Sequence, residues 1–196
     1  MSFVLSVRDD AVMVRTICPL ATGMQSAGCT SMTELHQLAR GGQAQQAWSK
    51  PPRSKAERRT HVLRKLESDN KLWIATASPD GSAHLVPFSF VWDGRRVSMA
   101  TRADNPAAQN AARTGKARLA LGDFSDVVLI DGAAYVVSPD EVDNALADRL
   151  SQVSAIDGRR APGFVYLQVV PTRIQAWWSG AELGTPTIMR NGEWLE

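Results

Sequence analysis

Residues 72–94 decide the fold and read LWIATASPDGSAHLVPFSFVWDG. Two apolar runs, Leu72–Ala77 and His84–Trp92, flank the turn Pro79-Asp80-Gly81, and a second turn pair, Asp93-Gly94, follows them. Glycine accepts the positive φ that a tight hairpin needs, so both turns predict antiparallel pairing. With the next run, Val97–Thr101, these residues predict a three-stranded meander.

The second of these strands is apolar on both faces. Val86 and Phe88 alternate with Leu85 and Pro87, so neither face is polar. A strand of this kind is typical of a closed barrel or of a subunit interface, because a one-sided sheet would have a polar outer face.

The rest of the body continues as strands separated by short helices. The predicted elements are a helix from Asn105-Pro106 to Gly115, strands Ala117–Leu121 and Asp126–Val137 with a bulge or a close backbone approach at Asp131-Gly132, a helix from Ser138 to about Val153, strands Phe164–Val170 and Arg173–Trp178, and a hairpin at Asn191-Gly192. Because the first strands are joined by short turns, parallel βαβ units are excluded, and a small antiparallel barrel with helices on its rim is favoured.

The N-terminal part differs in character from this body. Residues 1–52 show no sustained period, so we expect a poorly ordered arm, and Met32 is an alternative start of translation. Residues 53–196 form the predicted domain, with a leading helix at 54–69 that begins with the capping box Ser54-x-x-Glu57. Val62 and Leu66 belong to its apolar stripe. We expect its basic residues in water, or in contact with an acidic partner: Arg58, Arg59, Arg64 and Lys65.

Composition excludes several classes of protein. The 196 residues are 44% hydrophobic and 21% charged with a net charge of +2, which are globular values and too weakly basic to predict nucleic-acid binding. No apolar stretch is long enough for a membrane span, so no membrane partner is expected. Cys18 and Cys29 both lie in the arm, and the run ending at Cys29 makes a poor export signal, so we expect a cytoplasmic protein.

Catalytic signatures are missing from the body of the sequence. It contains no glycine-rich phosphate loop, no nucleophile elbow and no cluster of metal ligands, so we predict no catalytic side chain and no metal site. One junction is suited to an anion, because Thr101 and Arg102 end a strand and Asn105 begins a helix whose N-terminus is partially positive. If the protein is an enzyme, a bound cofactor carries the reaction.

The order of elements resembles the FMN-binding split β-barrel family, the relatives of pyridoxamine 5′-phosphate oxidase. The resemblance covers about residues 66–195, and it is carried by the opening stretch together with ATRADNPAAQNAARTGKARLALG, DVVLIDGAA, RIQAWWSG and IMRNGEWL. It implies a mainly β fold with short helices, an antiparallel split β-barrel of six or seven strands that forms a homodimer and binds flavin at the subunit boundary.

The resemblance also implies which residues bind the cofactor. The strand that follows the flavin ring matches His84, Val86, Pro87, Phe88 and Ser89, largely through backbone groups. The phosphate-binding end of the next strand and the helix after it match Thr101, Arg102, Asn105, Gln109 and Asn110. Trp177 matches a tryptophan that the oxidases place beside the flavin across the dimer.

Departures from the family pattern limit the activity that is expected. The basic residues of true oxidases are replaced by His84 and Ser89 on the flavin strand, and by Asn105-Pro106-Ala107 in the phosphate loop. Their C-terminal substrate motif is absent after Trp177. Oxidation of pyridoxamine phosphate itself is therefore not expected. The resemblance implies an oxidoreductase acting on a small molecule.

The cofactor and the class of function stay open at this point. FMN is the first candidate for the cofactor, the deazaflavin coenzyme F-420 is an alternative and haem is a third. A non-catalytic flavin- or haem-binding protein is the alternative function, with His84 as the only barrel histidine that could ligate haem. A cofactor-free interaction domain is a third hypothesis.

Overall fold

The computed structural model describes Leu5–Arg8, Ala11–Val14 and residues 49–196. Strands β1 (Leu5–Arg8) and β2 (Ala11–Val14) pair antiparallel as a separate two-stranded sheet. The predicted arm, residues 1–52, lies for most of its length outside the described residues.

Residues 49–196 contain three α-helices and a nine-stranded antiparallel sheet. The elements, in chain order, are α1 (Lys55–Ser68), β3 (Lys71–Ala77), β4 (Ala83–Ser89), β5 (Val91–Trp92), β6 (Val97–Arg102), α2 (Pro106–Thr114), β7 (Lys116–Asp123), β8 (Asp126–Val137), α3 (Asn144–Ser154), β9 (Phe164–Trp177), the short 3₁₀ turn Gly180–Glu182, β10 (Thr187–Arg190) and β11 (Glu193–Trp194). The prediction of a mainly β fold with short helices is confirmed.

The sheet curls into a split barrel. Hydrogen-bonded pairs run from β4 to β3, β7, β8 and β9, and β9 also pairs with β6, which pairs with β5. Because β5 continues β4 after a break at Phe90, the ring closes through β5, while no described strand pairs with the other edge of β4. The hairpin β10–β11 extends from the second half of β9.

Three helix ends follow the local signals in the sequence. Ser54 and Glu57 form both hydrogen bonds of the predicted capping box at the start of α1. The side chain of Asn105 accepts the amide hydrogen of Ala107 at 2.8 Å and so caps α2, whose end is Gly115 with a φ of +65°.

Three predicted boundaries were wrong. The run His84–Trp92 is two strands, because Phe90 is turned into the core and its amide donates to the carbonyl oxygen of Asn70 outside the strand ladder.

The helix predicted from Ser138 begins at Asn144, since Asp143 caps it and Ser138 bonds to Glu141 within a turn. The last two long strands are one strand, β9, which continues through Pro171 because its register with β8 shifts between Asp131 and Gly132, with Thr172 as the extra residue of β9 beside the missing amide.

The predicted bulge at Asp131-Gly132 is confirmed, and the reason for glycine is visible. A Cβ atom on Gly132 would lie 2.5 Å from Val169 Cγ1 and 2.6 Å from the carbonyl oxygen of Val170. No side chain fits between β8 and β9 at this point, so the glycine lets the two strands cross the bulge at close range.

The core fills the barrel and is closed by helices. Both α1 and α2 pack against the barrel interior through side chains that are at most 1% exposed: Val62 and Leu66 of α1, and Ala107 and Ala111 of α2. A second apolar cluster lies under α3, around Leu150 and Tyr166. Burial of side chains such as Val62 and Leu66 contributes about 1.5–3 kcal/mol each, which holds α1 on the barrel.

Candidate functional site

The predicted flavin strand, β4, lies at the split of the barrel. It pairs with β3 over its whole length, from Ala83 opposite Ala77 to Ser89 opposite Lys71. Its other edge has no partner strand among the described residues, although β6 and α2 both contact β4. An unpaired strand edge presents backbone N–H and C=O groups, which is what a ligand held by backbone contacts requires.

The side chains of β4 divide between two faces. Val86 and Phe88 are half-buried against the barrel core, and His84 shares their face because it lies opposite the buried Thr76. Pro87 and Ser89 occupy the outward face, Pro87 in an exposed position opposite Trp73. Outward-pointing groups and backbone atoms of β4 are therefore the ones that a ligand outside the barrel can reach.

The junction between β6 and α2 carries a compact group of polar residues. Thr101 is 5% exposed, at the end of β6. The exposed guanidinium of Arg102 forms a two-point ion pair with Asp104, at 2.9 and 2.8 Å. Hydrogen bonding from Arg102 is the main cause that lowers the pKa of the Asp104 carboxyl below its ordinary value. The positive charge predicted here is thus balanced by a neighbouring carboxylate.

The two predicted residues of α2 point in different directions. Gln109 is exposed, whereas Asn110 is buried and its Nδ2 donates to Thr76 Oγ1 at 3.3 Å. Asn110 therefore ties α2 to β3 beside His84, whose Nε2 is shielded from solvent and has no hydrogen-bond partner. An unpartnered buried nitrogen costs free energy, so this end of the barrel is where a bound group or a side-chain shift would be stabilising.

Trp177 does not join these residues within one chain. It ends β9, opposite Val127, whereas Thr101 pairs with Val165 near the start of the same strand. Twelve residues of strand separate Val165 from Trp177, a contour of about 40 Å. The structure brings the β4, β6 and α2 residues together and leaves Trp177 at the other end of β9.

The outward face of the sheet is apolar around Trp73. Pro87, Ala120 and Leu129 lie in register on either side of Trp73, which is 50% exposed. Leu85, at 59% exposure, extends this face along β4. Exposed apolar surface next to a candidate site is typical of an interaction surface.

A cleft of about 880 Å³ opens beside this face. Ala75 and Ala77 line its floor, and two cations from β7, Lys116 and Arg118, line its rim. Arg118 is paired with Asp131, which raises the pKa of the guanidinium, while no ion pair with an acidic side chain is formed by Lys116 within residues 49–196. The cleft can accept an anionic group at Lys116.

A buried polar cluster behind Trp177 was missed by the sequence analysis. Arg58, which was predicted to lie in water, is 3% exposed and donates to two backbone carbonyls, so that prediction was wrong. The cluster also contains Glu182, which is 2% exposed and was not predicted at all. The available signal was the spacing of Arg58, Val62 and Leu66, which places the arginine on the apolar face of α1.

No helix among residues 49–196 is long and apolar enough to cross a membrane. The same part of the chain contains no group of three or more side chains positioned to hold a metal ion.

Comparison with known proteins places these features in a family. The sequence profile described as pyridoxamine 5′-phosphate oxidase matches residues 59–178, which is more than half of the chain and includes every predicted cofactor residue. The chain belongs to the pyridoxamine 5′-phosphate oxidase family. No curated protein matches it.

Solved structures with the same fold include three of known origin. A putative pyridoxamine 5′-phosphate oxidase from Listeria innocua has a TM-score of 0.51 and 21% identity, over 61% of this chain and 98% of that one. The haem storage protein HutZ from Vibrio cholerae has a TM-score of 0.51 and 12% identity, over 69% and 99%. A protein related to general stress protein 26, of the pyridoxinephosphate oxidase family, from Clostridium acetobutylicum has a TM-score of 0.50 and 12% identity, over 64% and 91%. Identities this low support the fold alone.

Proposed function

We propose that this family member is a flavin- or deazaflavin-dependent oxidoreductase that acts on a small molecule in a cleft between two copies of the chain. FMN is the first candidate cofactor. The basic groups that would recognise pyridoxamine phosphate are missing from the matching positions, so that compound is not the proposed substrate. The observation that carries the proposal is the unpaired edge of β4 next to the β6–α2 junction.

These residues fit a planar ring with an anionic tail. The free backbone groups of β4 can hydrogen-bond to the edge of a heterocycle, and outward Pro87 offers an apolar surface to its face. Thr101 and Arg102 lie at the N-terminal end of α2, where partial positive charge favours a phosphate. Bound flavin would supply hydride or electron transfer, which this part of the chain lacks in its own side chains.

The roles of the chain's own residues follow from their positions. β4 would orient the ring through backbone contacts, and α2, anchored by Asn110 on Thr76, would keep the phosphate end fixed relative to that strand. Because orientation lowers the entropic cost of reaction, such a scaffold contributes without a dedicated acid or base.

The proposal requires a second copy of the chain. Trp73 and Leu85 expose an apolar face beside β4, and a partner packed there would cover it. Trp177 is separated from Thr101 by most of the length of β9, so it would contact a ring bound to the partner rather than one bound to its own chain.

The choice between FMN and a deazaflavin depends on the tail. Coenzyme F-420 has the longer and more anionic tail, and Lys116 at the edge of the cleft offers it a cationic partner, whereas Arg118 is already paired with Asp131. Arg102 is already paired with Asp104, which weakens the phosphate seat that both cofactors would use. Titration of both cofactors against the same protein decides between them.

Haem binding is the alternative, supported by the lone histidine of β4. The shielded Nε2 of His84 lacks a hydrogen-bond partner, but it faces the barrel interior and would have to move to ligate iron. A haem-binding role predicts a Soret band that is lost in His84→Ala and retained in His61→Ala, whose imidazole lies on α1 beside Asp126.

The test is cofactor binding by the purified protein. We expect a flavin or deazaflavin absorbance band, or binding of added FMN or coenzyme F-420 at micromolar concentration, and turnover with an electron donor. Thr101→Val removes the hydroxyl at nearly constant volume and should weaken binding about fivefold. The matched control is Thr60→Val, whose hydroxyl bonds only within α1. Absence of binding by the wild type would refute the proposal.

A further inference from the structure

Two charged side chains from distant parts of the chain hold the backbone on either side of Trp177. On one side, Arg58 Nη1 donates to the carbonyl oxygens of Ala176 at 3.2 Å and Thr185 at 2.8 Å. On the other side, Glu182 Oε2 accepts the amide hydrogen of Trp178 at 2.8 Å. Both charged side chains are almost completely buried.

Glu182 is itself held by Arg53. The backbone amide of Arg53 donates to Oε1 at 2.7 Å, its Nε donates to the same oxygen at 3.0 Å, and its Nη2 donates to Oε2 at 2.9 Å. Burial raises the pKa of Glu182, but the bonds from Arg53 and Trp178 outweigh it, and the pKa lies below its ordinary value. The carboxylate is therefore charged and fully used as an acceptor.

The same cluster determines where the two tryptophans point. The guanidinium of Arg53 stacks 3.7 Å from the centre of the Trp178 ring, and Trp178 Nε1 donates to the carbonyl of Pro51 at 3.0 Å. Successive side chains of an extended strand point to opposite faces. Within β9, which ends at Trp177, the buried Ala176 points into the core, so Trp177 is directed to the opposite face, where it lies across from Val127.

We propose that Arg58 and Glu182 are positioning residues that fix the orientation of Trp177 for contact with the cofactor ring. The inference rests on the proposed function, since it assumes that Trp177 contacts a bound flavin or deazaflavin. We call this arrangement of Arg58, Glu182 and Arg53 the Trp177 bracket.

The charged hydrogen bonds of the bracket are not needed to hold α1 against the barrel. Val62 and Leu66 already anchor α1 through apolar contacts, and apolar side chains in place of buried charges are often equally stabilising. Charged hydrogen bonds differ from apolar contacts in being directional. Directional bonds to the two peptide groups that flank one residue restrict the backbone at that residue, and this restriction orients its side chain.

The experiment is a double-mutant cycle read out as cofactor affinity. Glu182→Gln keeps the shape of the side chain but presents an amide group to one of its donors, and Arg58→Met keeps the stem without the guanidinium. Each variant is made in the native background and in Trp177→Phe, and the dissociation constant of FMN and of coenzyme F-420 is measured by fluorescence. Val62→Ala is the matched control, because it loosens α1 without touching the bracket.

We expect Trp177→Phe to weaken binding of the preferred cofactor about fivefold. In the native background, Glu182→Gln and Arg58→Met should weaken cofactor binding by a similar factor. In the Trp177→Phe background, each of them should change the affinity less than twofold. Val62→Ala should leave affinity within twofold in both backgrounds, and Arg58→Lys should recover part of the loss. Thermal denaturation establishes that each variant is folded at the assay temperature.

Two results would overturn the inference, and they are distinguishable. In the first, the wild type binds a cofactor, but the bracket variants weaken binding equally in the native and Trp177→Phe backgrounds, or weaken it in neither background. The bracket then does not act through Trp177. If the wild type binds neither cofactor, the proposed function fails and the inference fails with it.

Discussion

Replacement of Asp104 by asparagine should tighten binding of a phosphate-bearing cofactor. In the structure Asp104 accepts hydrogen bonds from Nε and Nη2 of the Arg102 guanidinium, at the point where the phosphate is proposed to bind. A phosphate that engages Arg102 must displace this carboxylate or share the guanidinium with it. Asp104→Asn removes the competing charge and leaves the side chain almost the same size.

The magnitude follows from the exposure of the pair and from Coulomb's law. Both side chains are more than half exposed, so giving up the ion pair costs at most about fivefold in affinity. Two anions that share one guanidinium lie within about 8 Å, and in water a unit charge at that distance from a dianion changes affinity by a factor of about five. Because the phosphate either displaces the carboxylate or shares the guanidinium with it, only one of these effects applies, and a gain of about fivefold is predicted.

The assay is titration with FMN and with coenzyme F-420 at low and at high ionic strength. Hydrogen bonding from Arg102 lowers the pKa of Asp104, so the wild-type carboxylate stays charged throughout the neutral range and the gain persists there. The gain in affinity should decrease towards pH 5, because a phosphate monoester loses one charge near pH 6. It should also decrease in high salt, which screens the repulsion.

Asp148→Asn is the control for this titration, since it removes a carboxylate that pairs with Arg159 rather than with Arg102. An Asp104→Asn variant with unchanged or weaker affinity, in a wild type that binds the cofactor, would show that the phosphate does not approach Arg102.

Three further predictions concern the barrel and its surface. Gly132→Ala places a methyl group against Val169 and should lower the free energy of unfolding by about 1–3 kcal/mol, measured by urea denaturation. Because the pKa of Glu182 is depressed, its contribution to stability is present above the ordinary carboxyl value of 4.5 and is lost as pH falls below it; Glu182→Gln should flatten this acid dependence of the urea midpoint. Leu85→Asp should convert a dimer to monomer in light scattering, whereas Phe124→Asp, at a solvent-exposed hairpin tip, should not.

Local signals in the sequence were enough for much of the fold. The capping box at Ser54, the cap at Asn105 and the bulge at Gly132 were all predictable, because each depends on a few neighbouring residues and on the steric properties of one residue type. One error came where two local signals competed. Ser138 and Glu141 have the spacing of a capping box, but Asp143 caps the helix instead, and only packing of Leu146 and Leu150 decides between them.

Long-range polar contacts were not predictable in the same way. The partners of Glu182 are Arg53, which is 129 positions away in the sequence, and Trp178, so nothing near Glu182 indicates that it is buried. Arg58 could have been assigned to the apolar face from its spacing to Val62, but an arginine there is ordinarily read as solvated. Charge alone does not reveal burial when the compensating groups are backbone carbonyls of another element.

The candidate site was only partly predictable from the sequence of one chain. Its β4, β6 and α2 residues lie together because short connections join consecutive elements, which the sequence makes visible. Trp177 lies at the opposite end of β9 from the strand partner of Thr101, and a strand contour of about 40 Å far exceeds the length of a three-ring cofactor. We therefore propose that Trp177 contacts a cofactor held by a second chain. Loss of the Trp177→Phe effect on affinity in a monomeric Leu85→Asp variant would follow directly, and an effect that persists in the monomer would exclude a shared site.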